Sequence, residues 1–170
     1  GASEKTSYFV SLGYSNQEGF IINNSFERKN GRVNLDHKLF KNVTIGTNFS
    51  YSNTLNRAPN TGSLPGSSFN TGGLGRLAFV LPPNVSPFNE DGSYNVAGSA
   101  IGLGANLIAS NYPNAAVLVN SDKNTSESDR LIANGYVSVQ ILKGLTFKTN
   151  YSIDNLKLDN NVFVNRLQGD

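Results

Sequence analysis

Hydrophobic and polar positions alternate strictly in two distant stretches of the chain. In residues 43–53, Val43, Ile45, Thr47, Phe49 and Tyr51 fall on one side of the alternation, and Thr44, Gly46, Asn48, Ser50 and Ser52 on the other. In residues 145–154, Leu145, Phe147, Thr149, Tyr151 and Ile153 oppose Thr146, Lys148, Asn150, Ser152 and Asp154. Each stretch follows a tight polar turn, Lys41-Asn42 or Lys143-Gly144. Successive side chains of a strand point to opposite faces, so each stretch predicts a strand with one apolar and one polar face.

Three more segments carry the same period. Tyr8, Val10, Leu12 and Tyr14 predict a strand over about 6–15. Val33, Leu35, His37 and Leu39 end one over about 26–39. Leu131, Ala133, Gly135, Val137, Val139 and Ile141 define one over about 130–142. The two copies complete the set at about 43–53 and 145–157. All five are rich in β-branched and aromatic residues. They exceed the usual strand of about 5–6 residues and approach the length that crosses a bilayer at a tilt.

The connections alternate in length. A medium loop around Asn16-Gln17-Glu18-Gly19 joins the first two strands, a tight turn the next two, a segment over about 54–129 the next, and a tight turn the last. Short turns on one rim and long loops on the other are the sided pattern of an outer-membrane barrel. The expected fold is therefore all-β: long antiparallel up-and-down strands forming a segment of a transmembrane β-barrel, with one long extracellular loop. Within that loop, Leu74 to Leu81 predicts a short helix ended by Pro82-Pro83. Asp91-Gly92 marks a turn flanked by Phe88 and Tyr94. Residues 97–113 are rich in small residues and read as irregular.

Composition narrows the function classes. Apolar residues make up 38% and charged residues 15% of the chain, both low for a globular protein, with Asn, Ser, Thr and Gly in their place. Lysines and arginines are scattered and the net charge is only +2, so no basic patch for nucleic acid is visible. The absence of cysteine excludes disulfides and thiol chemistry, and a single histidine, His37, excludes any site needing two. No apolar run approaches the ~18 residues of a transmembrane helix, and residues 1–5 carry no signal-peptide core. With Gly1 at its start and no methionine, the chain is expected to be a processed product or an excised piece.

Ser7-Tyr8-Phe9-Val10-Ser11-Leu12-Gly13-Tyr14-Ser15-Asn16-Gln17-Glu18-Gly19, then Phe26-Glu27-Arg28 and Arg32-Val33-Asn34-Leu35-Asp36, resemble the SusC/RagA family of TonB-linked outer-membrane transporters. The similarity continues through Asn48-Phe49-Ser50-Tyr51-Ser52, Pro82-Pro83, the stretch from Pro87 to Tyr94, and the stretch from Ile141 to Tyr151, in the family's order. Of these, Gly-Tyr-x-x-Gln-Glu-Gly is the most specific element. The resemblance implies an internal part of a barrel of about 22 strands, with a plug elsewhere, importing oligosaccharide or peptide across the outer membrane of a Gram-negative bacterium. It also implies TonB, acting through the plug, and a SusD-like surface lipoprotein as partners. Five strands do not close a transmembrane barrel, which takes about eight at least.

Candidate chemistry is sparse. Phe69, Phe88, Tyr94 and Tyr112 in the long loop are the possible substrate or lid contacts, since aromatics line many ligand pockets; anchoring of the loop is the competing role. Asn89-Glu90-Asp91-Gly92 lacks the later acidic ligands of a calcium loop and reads as a plain turn. Glu127, Asp129 and Arg130 read as solvated charges, and His37 as a packed or interfacial residue. Gly72-Gly73-Leu74-Gly75 lacks the Lys-Ser/Thr of a phosphate loop. No catalytic constellation, cofactor or metal site is expected. The expected role is a wall of an importer in contact with the lipid bilayer; the alternative is a soluble all-β surface domain that binds glycan, its loop folded over the apolar face.

Overall fold

The structure, a computed structural model, describes residues 1–58, 73–96, 114–121 and 123–168. Five strands form one sheet in sequence order: β1 (Thr6–Glu18), β2 (Ser25–Phe40), β3 (Val43–Arg57), β4 (Lys123–Leu142) and β5 (Leu145–Phe163). Neighbours in sequence are neighbours in space, so the chain runs up and down as the alternation predicts. Two short helices, α1 (Leu74–Val80) and α2 (Ala115–Ser121), lie between β3 and β4 in the chain. The predicted helix is α1; α2 is an addition, seven residues long and so too short to show a helical period in the sequence.

The strands are longer than expected at the ends away from the tight turns. β3 runs on to Arg57, β4 begins at Lys123, and β5 reaches Phe163. The predicted connection over about 54–129 is correspondingly shorter. The reason lies in what holds a strand. Backbone pairing needs no apolar side chain, and past the apolar stripe the polar side chains take over. Asn53 Nδ2 donates to Glu127 Oε1 and Asp129 Oδ1, each at 2.9 Å, and Tyr51 Oη donates to Asp129 Oδ1 at 2.6 Å.

The chain divides into two compact units. One comprises Gly1–Gln17, Phe26–Leu55 and Glu127–Asp159, and is all sheet; the other comprises Glu18–Ser25, Asn56–Ser126 and Asn160–Asp170. The sheet unit has no hydrophobic core among its described residues. Leu12 is 87% exposed and Tyr151 73%, and every residue of β5 is exposed. Every fully buried apolar side chain among the described residues, Leu77, Val117 and Leu118, belongs to the second unit.

A sheet with a continuous exposed stripe is unfavourable in water, at about 25 cal/mol per Å² of apolar surface left wet. The stripe has the dimension a bilayer requires. On β5 it extends from Leu145 to Ile153, close to the ~9–11 residues of a tilted spanning strand. Tyr14, Tyr51 and Tyr151 stand near its far edge, where amphipathic rings favour the headgroup level.

The opposite face is mostly polar and cross-linked by side chains, with Phe9, Ile132, Leu156 and Leu158 among its exposed apolar exceptions. Arg130 and Asp154 form a two-bond ion pair, and Asn134 Nδ2 donates to Ser152 Oγ at 2.6 Å. Tyr136 Oη donates to Asp36 Oδ1 at 2.6 Å, and Lys148 Nζ sits 4.2 Å from the Tyr136 ring centre. On the apolar face, His37 Nδ1 hydrogen-bonds Thr6 Oγ1 at 2.8 Å.

Candidate functional site

The second unit holds the loop chemistry. Its small core forms where α1 and α2 pack together, with Leu77 of α1 and Val117 and Leu118 of α2 fully buried. Asn114, 2% exposed, ties three pieces of chain. Its Oδ1 accepts from Ala116 N at 2.8 Å, which caps the first turn of α2. Its Nδ2 donates to Pro87 O at 2.8 Å and Asn95 O at 3.1 Å. Asn95 in turn donates to Ser86 O at 2.8 Å. Buried amides stay buried only with such partners.

Phe88 and Tyr94 meet across the turn between them. Their rings stack with centroids 5.5 Å apart, and the two residues form an antiparallel bridge. Asn89 N donates to Ser93 O, Gly92 adopts a positive φ of 81°, and Asp91 Oδ1 accepts from Ser93 N at 2.9 Å and from Ser93 Oγ at 2.6 Å. These two hydrogen bonds hold the Asp91 carboxyl below its ordinary range. The cluster forms a turn; among the described residues there is no group of three or more His, Cys, Asp or Glu that could hold a metal ion. Phe69 and Tyr112 lie outside the described residues.

Sequence reasoning did not single out one cavity rich in polar groups. It measures about 770 Å³ and is lined by the β1–β2 loop, Arg57, Ala58, the end of α2 and the first residues of β4. The loop is pinned by Asn23, which takes a left-handed φ of 63° and donates from Nδ2 to Val119 O at 2.7 Å. Asparagine tolerates that conformation better than most residues. Asn24, Asn120, Asn124, Thr125, Glu18, Arg57 and Lys123 give the cavity both donors and acceptors. The signal in the sequence was the pair Asn23-Asn24 in the β1–β2 loop together with Asn120 and Asn124 on either side of the start of β4. A second cavity of about 330 Å³, lined mainly by Leu74, Leu77, Leu81, Val85 and Pro87, is apolar.

An open antiparallel sheet of overlong strands, apolar on one face and mostly polar on the other, is a segment of a membrane β-barrel wall. No family model matches the chain. In sequence it is similar to TonB-dependent receptor P3 of Formosa agariphila, at 24% identity over 151 residues, 89% of this chain and 14% of that protein. It is also similar to TonB-dependent receptor P26 of the same organism, at 34% over 104 residues, 60% of this chain and 9% of that one. In structure it matches a chain of the RagAB peptide importer in its 'closed-closed' state, with a TM-score of 0.65 and 25% identity over 94% of this chain and 17% of that one. Sequence and fold both resemble a SusC/RagA-type segment of a TonB-dependent receptor barrel. It spans about a tenth of the length of the curated relatives it matches.

Proposed function

We propose that this chain forms part of the wall and mouth of an outer-membrane importer of oligosaccharides or peptides, and does no catalysis. The observation that carries the reading is the exposed apolar stripe on strands that run past it at one end, in a chain that aligns with a RagAB chain over 94% of its length. The apolar face meets lipid and the polar face lines the lumen. The long connections lie on the extracellular side, where the asparagine-rich cavity and the loop aromatics Phe69, Phe88, Tyr94 and Tyr112 are the candidate substrate or lid contacts. Phe88 and Tyr94 are candidates for lid contact through the turn they staple. Energy comes from TonB acting on a plug, and a SusD-like lipoprotein covers the mouth.

The soluble glycan-binding alternative requires the apolar face to be covered, and Leu12, Val10, Tyr8 and Phe147 are all more than half exposed. Uptake in cells tests the proposal. Cells lacking the whole protein should fail to accumulate one labelled class, oligosaccharide or peptide, and a protonophore should reproduce the loss in wild-type cells. Unchanged accumulation of both classes rules the importer out.

A further inference from the structure

We infer that Tyr136 is a positioning residue: seated in the notch left by Gly46 and hydrogen-bonded to Asp36, it sets the register in which β4 pairs with β3. This junction differs from its neighbours. Two-residue turns join β2 to β3 and β4 to β5, and a turn that short dictates the pairing of its strands. β3 ends at Arg57 and β4 begins at Lys123, so no turn sets their register. The apolar pattern does not set it either. A one-residue slip would turn every side chain to the wrong face, but a two-residue slip keeps apolar with apolar and polar with polar. Side-chain fit must discriminate between registers that differ by two.

The fit is specific to one position. Asn42 and Gln140 are backbone-bonded, Gly46 lies beneath Tyr136, and Asn53 is bonded to Asp129. The three pairs step equally along both strands, so one register holds without a bulge. On the polar face of β3, Thr44, Gly46, Asn48 and Ser50 succeed one another, and only Gly46 has no side chain. A Cβ at position 46 would overlap the Tyr136 ring and the Asp36 carboxylate. The ring therefore lies across β3, its hydroxyl reaches β2, and the Lys148 ammonium from β5 stands 4.2 Å from its centre. A two-residue slip would bring Thr44 or Asn48 under the ring and break the bond to Asp36. Such a slip moves one strand end by about 7 Å relative to its neighbour, enough to displace whatever the strand ends carry.

Disulfide trapping in the whole protein, assembled in the outer membrane, tests the lock. Thr47→Cys with Gly135→Cys reports the native register, and Thr47→Cys with Ala133→Cys reports the slipped one. With Tyr136 intact the native pair should form almost alone. Tyr136→Ala should lower the native-to-slipped ratio by about fivefold or more, the scale of one cross-strand pair plus one hydrogen bond. Tyr136→Phe keeps the ring over Gly46 and should lower it less. An unchanged ratio in Tyr136→Ala overturns the inference. If Tyr136→Ala does not assemble, Tyr136→Phe decides: a raised slipped fraction supports the lock and an unchanged one overturns it.

Discussion

Arg130 holds Asp154 through two parallel hydrogen bonds, Nε to Oδ1 at 3.0 Å and Nη2 to Oδ2 at 2.6 Å, and so joins β4 to β5 on the polar face. Both side chains are about half exposed, which limits what the pair contributes in water. Arg130→Ala, Asp154→Ala and the double variant should each lower Tm by no more than about 2 °C, with the double no worse than the worse single. Thermal unfolding in micelles at low and high salt checks this, and any loss should shrink as salt screens the pair.

The two faces of β4 should respond oppositely to the same charge. Val137 belongs to the apolar stripe and Ser138 to the polar face. Val137→Lys should cost about 2–4 kcal/mol near the middle of the bilayer. Ser138→Lys should be nearly neutral. Denaturant titration in lipid vesicles measures both, and equal costs would remove the assignment of lipid and lumen faces.

The loop core offers a local test. Leu77 is fully buried where α1 meets α2, and truncation of such a residue leaves a cavity. Leu77→Ala should destabilise this unit by about 2–4 kcal/mol. Hydrogen exchange should show faster opening of α1 and α2 while the strands of the sheet unit keep their protection.

Asn114 joins a helix cap to two donated hydrogen bonds. Asn114→Ala removes the cap and strands the Pro87 and Asn95 carbonyls, at about 2–3 kcal/mol together. Asn114→Asp retains the cap acceptor but turns a buried carboxyl toward the Pro87 and Asn95 carbonyls, so it should destabilise at least as much as alanine. Protection of the Ala116 amide should separate the cap from the cross-links: lost in the alanine variant, largely kept in the aspartate.

Acid should loosen the Pro87–Asn95 turn late. The Ser93 hydroxyl and amide hold the Asp91 carboxyl below its ordinary range. A depressed folded pKa means that the contribution is complete above the unfolded value of about 3.9 and is lost as pH falls through the lower folded value. The Asp91 carboxyl carbon and the Ser93 amide should titrate together in NMR, with a midpoint below 3.9. A midpoint at or above that value would contradict the hydrogen bonds.

Much of this protein follows from local chemistry. The alternation of Val43-Thr44-Ile45-Gly46 and its counterparts determines the strands, because side-chain direction in a strand has a period of two whatever surrounds it. The turns at Lys41-Asn42 and Lys143-Gly144, the helix before Pro82 and the Asp91-Gly92 turn are equally local, and the apolar stripe follows from strand identity alone. What only the tertiary structure decided is how distant segments meet. Tyr136 over Gly46, Asn114 between Pro87 and Asn95, Asn23 on Val119, the stacking of Phe88 on Tyr94 and the growth of β3 and β4 beyond their apolar residues all depend on a partner elsewhere in the chain. Local propensity carries no term for a partner that arrives only when the long segment between β3 and β4 has closed, and the register of that junction is chosen by side-chain fit after the chain has come together.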